Sequence, residues 1–192
     1  IRDSDMPDLQ ARKNLRNILP SLRRHLGEHL IITRQTVAFN AQQPHWLDVE
    51  ILQSTLDSDQ ANLDIGTLRE VTTVYQGDFL AGFHVRNAPF FEEWVLGQRE
   101  YLRESAMRLL DTLVKRCIET EQFELGLAAT KRLLHAEPWR ETAYQQQMTL
   151  LARSGQPHAA LAQYETCCAI LAEEFDAEPM AETTALYNRI RR

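Results

Sequence analysis

Much is missing from this sequence, and each absence closes a route. It has no run of 18 or more apolar residues and no apolar signal-type core at its start, so no membrane association is expected and a soluble, cytoplasmic protein is. Its cysteines number three, Cys117, Cys167 and Cys168, with no CxxC spacing, which predicts reduced and mostly buried thiols instead of a disulfide frame or a zinc site. Seven Gly, seven Pro and no low-complexity tract leave little room for disorder in 192 residues. GxGxxG, Walker A, HExxH and GxSxG patterns are all absent. Glu92 and Glu93 are adjacent, and neighbours on a helix point about 100° apart, so they cannot flank one scissile bond. Their place is the positive end of a helix dipole. His25 and His29 straddle Gly27 without a third ligand, and His45, His84, His135 and His158 are scattered. The expectation is a protein that is not an enzyme and holds no cofactor or metal.

What is present is unevenly distributed charge. The net formal charge is −6, yet residues 11–34 hold six cations (Arg12, Lys13, Arg16, Arg23, Arg24, Arg34) against Glu28, leaving the rest acidic. A small basic head on an acidic body points to polyanion contact near the start of the chain.

The head, "NLRNILPSLRRHLGEHLIITRQTVAFN", reads first as a helix from about Leu9 to Leu26. Leu15, Ile18/Leu19, Leu22 and Leu26 form one apolar stripe, and the basic residues take the other face. Gly27 sits at the expected C-cap. Pro20 either bends this helix or starts its last two turns. "LIITR" and "TVAFN" are β-branched and short, and predict a β-ribbon. After "AQQPHWLD", Asp48 and Asp64 serve as N-caps for Val49–Leu56 and for a helix ending near Tyr75. "YQGDFLAGFHVRNAP" breaks the periodicity and reads as a packed loop. A long helix spans about 90–118, with Phe91, Trp94/Val95, Leu102, Ala106, Leu109, Leu113 and Cys117 on its inner face. Further helices cover about 123–135, 140–152, 157–175 and 180–190, and no strand follows residue 40. The aromatics Trp46, Tyr75, Phe79, Phe83, Phe90, Phe91 and Trp94 are read as core joining the irregular helices to the long one, or as a docking surface.

Shifting the sequence by 34 residues lays "EQFELGLAATKRLL" (121–134) over "GQPHAALAQYETCC" (155–168), Leu127 on Leu161 and Ala128 on Ala162. Leu110, Val114 and Cys117 fall on Tyr144, Met148 and Leu151. Gly126 and Ala160 are the small residues that let paired helices approach. A 34-residue helix–turn–helix period is the tetratricopeptide (TPR) signature, in which each pair hides its apolar face by stacking on the next.

These segments together resemble the bacterial transcriptional activator domain (BTAD) of antibiotic-regulatory-type, SARP-like activators. The opening stretch resembles the recognition helix and wing of a response-regulator-type winged helix. "WLDVEIL", "YQGDFLAGF…FEEWV…R" and "LARSGQPHAALAQYETCCAILAEEFDAEPMAETTALYNRI" resemble the activator domain, the last being the most specific part. The resemblance implies a mainly α protein: residues 1–40 are the C-terminal part of a winged-helix domain, 41–47 a linker and 48–192 a TPR-like activator domain. The strands and first helices of the winged domain are not present, so the sequence looks like a fragment cut inside it. The resemblance further implies promoter DNA as a partner, contact with RNA polymerase or other transcription proteins, and self-association as a homodimer. It sets Arg12, Lys13, Arg16, Asn17, Ser21, Arg23 and Arg24 near DNA from the helix and Arg34 from the wing. Arg and Asn offer paired donors to base edges, and Arg, Lys and Ser hold phosphates. The rival reading is a TPR-type interaction scaffold with no DNA-binding role.

Overall fold

The computed structural model describes residues 8–58 and 63–192. In order, the elements are α1 (Asp8–Leu26), β1 (Leu30–Ile32), β2 (Val37–Phe39), α2 (Asp48–Asp57), α3 (Ile65–Val74), α4 (Pro89–Glu119), α5 (Phe123–Ala136), α6 (Glu141–Arg153), α7 (Pro157–Phe175) and α8 (Ala181–Arg191). The two strands form an antiparallel ribbon with Leu30 opposite Phe39 and Ile32 opposite Val37. No helix among the described residues is long and apolar enough to cross a membrane.

Two compact units emerge. One holds the described residues up to Asp48 together with Gly77–Tyr101; the other holds Val49–Gln76 and Leu102–Arg192. In the second unit the helices pack in sequence, α5 on α6, α6 on α7, and α8 on both α6 and α7. The 34-residue period is visible in the backbone itself. α4 ends at Glu119 and α6 at Arg153, and α5 opens at Phe123 and α7 at Pro157. Glu121 and Gly155, one period apart, both take the left-handed conformation (φ 59° and 79°). Directly after them the Gln122 N–H donates to the Cys117 carbonyl at 2.9 Å, and the Gln156 N–H to the Leu151 carbonyl at 2.8 Å. Each is the six-to-one bond of a Schellman turn, which satisfies the carbonyls a helix end leaves open.

Side-chain burial follows the same period. Leu110, Val114 and Cys117 are buried, as are Tyr144, Met148 and Leu151. Leu127 and Leu161 are half-buried, whereas Ala128 and Ala162 are exposed, so that matched pair marks the outer face. Gly126 and Ala160 are both buried. A Cβ on Gly126 would stand 2.9 Å from both Leu150 methyls and 3.0 Å from the Cys117 Cβ. Leu150 is itself fully buried, so those methyls have nowhere to retreat.

Polar ties hold the ends of the stack. The Asp64 carboxylate accepts from the Thr67 N–H and caps α3, as the sequence predicts. Arg132 of α5 donates to the carbonyls of Thr72 and Tyr75, closing the other end of α3. Arg153 donates to the Ile118 carbonyl near the end of α4. Glu137, between α5 and α6, is held by Arg103 at 2.6 Å and Arg140 at 2.8 Å. Glu141 accepts from the Met180 N–H (2.9 Å) and the Thr183 hydroxyl (2.6 Å), capping α8 from α6.

Some inner-face expectations change. Val95 is buried and Trp94 is 49% exposed, because Val95, not Trp94, lies in helical phase with Leu102, Ala106 and Leu109. Trp46 (69%) and Phe90 (77%) are exposed too and join no core. Phe79, Phe83, Phe91 and Trp94 do form a chain of ring contacts in the first unit. Cys117 and Cys167 are buried as expected, and Cys168 is half-buried.

Gly126→Val is expected to cost roughly 1–3 kcal/mol through overpacking against Leu150 and Cys117. Urea unfolding measures it, and an unchanged midpoint would mean that α5 does not approach α4 and α6 this closely. Burial alone would raise the Glu137 carboxyl, but its hydrogen bonds to Arg140 and Arg103, and their charges, outweigh that and hold it below the ordinary value of 4.5. A folded-state value below the unfolded one contributes stability that is complete above 4.5 and lost as pH falls through the folded value. Glu137→Gln should therefore cost roughly 1–3 kcal/mol at neutral pH and flatten the loss of stability on acidification. Parallel urea titrations of the two proteins between neutral and acid pH read both effects.

Candidate nucleic-acid interface

α1 is a single helix with Pro20 inside it. Of the two readings of Pro20, a fresh start near Leu19 is not the one realised, since the helix runs through it. Pro20 lies on the exposed side, among Arg16, Arg23 and Arg24, so the Arg16 carbonyl that loses its usual N–H partner faces solvent. At about 100° per residue, Arg12, Arg23, Arg16, Lys13, Arg24 and Asn17 fall on one side, with Ser21 at its edge. Leu15, Ile18, Leu19, Leu22 and Leu26 fall on the other. All seven polar residues are exposed. In the apolar arc Leu19 and Leu22 are half-buried, but Leu15 (48%), Ile18 (53%) and Leu26 (45%) stay open.

Gly27 ends α1 with φ +50°, and one turn of tighter helix, Gly27–His29, leads into β1. The ribbon tip is Thr33-Arg34-Gln35-Thr36. The Thr33 N–H donates to the Thr36 carbonyl at 2.9 Å, while the Thr33 hydroxyl accepts from the Gln35 and Thr36 N–H groups and meets the Thr36 hydroxyl at 2.8 Å. Arg34 is thereby presented at the tip, exposed and apart from the helical set. The base of the ribbon hangs on Asn40. Its N–H donates to the His29 carbonyl and its side-chain amide to the Glu28 carbonyl, each at 2.8 Å. His29 also contacts the Pro44 carbonyl through Nε2 at 3.1 Å and stacks on Phe39, which meets His45 edge-on.

Asn40, Thr33 and Thr36 carry no signal of their own as site residues in the sequence, and His29 shows there only as half of a histidine pair. Their hydrogen bonds fix where Arg34 stands. The Thr-x-x-Thr pattern between two β-branched runs was the legible signal for the tip. His25, the other member of the histidine pair, is turned to the Ser21 carbonyl at 2.7 Å. Among the described residues, no cluster of three or more His, Cys, Asp or Glu could hold a metal ion. Glu92 closes the loop before α4, accepting from the Val85 N–H and pairing with His84 at 2.9 Å. Arg99 donates to the Phe79 and Leu80 carbonyls and pins the same loop. Burial pushes the Cys117 thiol up, and burial with the charge of Glu141 pushes Cys167 up to about 12, which disfavours the thiolate at both.

A basic helix with a small ribbon, followed by packed helical hairpins, defines a mainly helical protein with a small winged segment. The family model of the bacterial transcriptional activator domain matches residues 49–191, and the chain belongs to that family of transcription regulators. Comparison with curated proteins finds no match. Among solved structures, the chain is similar to Mycobacterium tuberculosis EmbR in complex with a low-affinity phosphopeptide, with a TM-score of 0.65 and 19% identity. That likeness covers 98% of this chain and 52% of the other, so the chain spans about half the length of the structure it matches. At such identity it speaks for the fold.

Asn40→Ala should loosen the ribbon without touching the helical hairpins. Amide exchange of Leu30–Ile32 and Val37–Phe39 is expected to quicken roughly three- to tenfold, the equivalent of one hydrogen bond, with α5–α7 unchanged. Unaltered exchange in the strands would show that the Asn40 side chain does not anchor the ribbon.

Proposed function

We propose that the chain acts in a bacterial transcriptional activator, with residues 1–40 the reading end of a winged-helix DNA-binding domain, 41–47 a linker and 48–192 a TPR-like activator domain. α1 is the recognition helix and the β1–β2 ribbon the wing. The observation that carries this reading is the coincidence of all seven polar candidates on one exposed side of α1 with Arg34 at an ordered ribbon tip. The family match supports the activator half. Arg12, Lys13, Ser21 and Arg34 have the chemistry for phosphates. The arginines among the candidates, Arg12, Arg16, Arg23, Arg24 and Arg34, and Asn17 can also offer paired donors to guanine or adenine edges. Phosphate neutralisation gives affinity and makes it salt-dependent, and base-edge contacts give sequence preference. The acidic helical body is repelled by DNA and serves self-association and contact with RNA polymerase or another transcription protein in the cytoplasm.

Fluorescence anisotropy of the natural full-length protein with DNA from its own promoter region, across salt concentrations, tests the reading. An Arg23→Glu/Arg24→Glu/Arg34→Glu variant should bind far more weakly. It should also lose roughly one unit of salt slope for each phosphate contact removed. Absence of binding at low salt by the folded protein would sink the reading, and an interaction scaffold with an incidental basic helix would remain.

A further inference from the structure

No Lys or Arg lies between Arg153 and Arg189, while that stretch carries Glu165, Glu173, Glu174, Asp176, Glu178 and Glu182. At its centre Phe175, the last residue of α7, meets Trp139, in the turn between α5 and α6, edge to face at 6.1 Å. The contact does not hide them. Trp139 is 48% exposed, Phe175 55% and Met180, at the start of α8, 47%. Among the described residues of the second unit, these are the large apolar side chains left exposed.

The patch is built on fixed points. Trp139 stands between Glu137 and Arg140, which pair with each other. Met180 is held through its N–H on Glu141. Asp176 takes the left-handed conformation that ends α7 beside Phe175. Side chains already ordered lose little freedom when a partner covers them, and exposed aromatics in pre-ordered surroundings are what contact hot spots are made of. The rim sets the partner's charge. Glu137 is occupied by Arg103 and Arg140, but Glu173, Glu174, Asp176, Glu178 and Glu182, which flank Phe175 and Met180 in sequence, are exposed. Such a rim repels an acidic segment and nucleic acid, and attracts Lys and Arg, whose cations also favour the faces of Trp and Phe.

From this combination we infer that Trp139, Phe175 and Met180 form a docking site for a cationic amphipathic helix of another protein, one carrying Lys or Arg beside bulky apolar anchors. None of these residues belongs to the basic head, so the site stands or falls separately from the DNA reading.

The test uses a fluorescein-labelled helical peptide with Leu on one face and Lys on the other, beside its Glu-for-Lys counterpart, titrated into the whole chain. The Lys peptide should bind and the Glu peptide should not. Binding should weaken roughly tenfold in Trp139→Ala/Phe175→Ala. It should weaken similarly in Glu173→Lys/Glu174→Lys/Glu178→Lys, which leaves the rings in place and guards against a folding artefact. Circular dichroism checks that both variants keep their helices. Equal binding by the folded aromatic variant, or by the Glu peptide, overturns the site. Sedimentation velocity of the chain alone distinguishes the other occupant: self-association that the aromatic variant abolishes would assign the patch to a second copy and overturn the inference.

Discussion

The seam where Gly126 lies against the Leu150 methyls and the Cys117 Cβ sets the geometry of the helical hairpins that follow. A helix hydrophobic on one stripe gains by burying it, at about 25 cal/mol per Å² of apolar surface. That gain is complete only if the backbones come close enough to leave no void. Glycine within a helix gives up roughly 1 kcal/mol of propensity relative to alanine. Here the closer approach outweighs it, since Leu133, Met148, Leu150 and Val114 are all fully buried. The matched Schellman turns at Glu121 and Gly155 then end α4 and α6 with the same hydrogen bond. Close approach and turn geometry together make the period structural as well as textual.

The two ends of the sequence are solved by different means. The second unit buries most of its apolar faces and ties several helix ends with polar partners, at Asp64, Arg132, Arg153 and Glu141. The first unit leaves Leu15, Ile18, Leu26, Ile31, Val37 and Phe39 between 42% and 53% exposed. The order of its ribbon rests on hydrogen bonds at Thr33, Asn40 and His29. In sequence terms, the helical hairpins are specified by periodicity and the ribbon by turn chemistry.

That difference explains what could be read in advance. The helices from α4 onward, the Asp64 cap and the equivalence of Leu110, Val114 and Cys117 with Tyr144, Met148 and Leu151 are periodic or local features, and periodicity survives without knowledge of neighbours. The exposure of Trp94 and Phe90 is different, because a ring next to an inner-face position is placed by what packs on the helix and not by its hydrophobicity. Pro20 was undecidable for a related reason: its cost depends on whether the orphaned carbonyl meets water or protein. The basic face of α1 was fully legible, as one strong amphipathic period. The part of Asn40 was not, because its bonds reach back to Glu28 and His29 across the whole ribbon. The aromatic patch at Trp139 and Phe175 joins residues 36 apart, outside the repeat register. The register fails there because α7 runs 19 residues where α5 runs 14.

The lengthened α7 puts its end beyond the repeating core, and polar bonds then have to locate α8. An apolar stripe of Leu186, Tyr187 and Ile190 packs on the cluster of Met148, Leu151 and Ala160. Such a stripe could slide by a turn at little cost, since one apolar neighbour serves nearly as well as another. Bonds converging on Glu141 and Thr183 cannot slide. The Met180 N–H and the Thr183 hydroxyl both meet one carboxylate oxygen, and Gln145 donates to that same hydroxyl. Thr183 is fully buried, so any shift of register would strand its hydroxyl without a partner, at roughly 1–3 kcal/mol. Stacked rings at Tyr164 and Tyr187, 4.3 Å apart, and the Tyr164–Thr184 contact reinforce the same register. Burial therefore holds α8 to the stack, while a few hydrogen bonds decide where along it α8 rests, and with it where Met180 stands relative to α6.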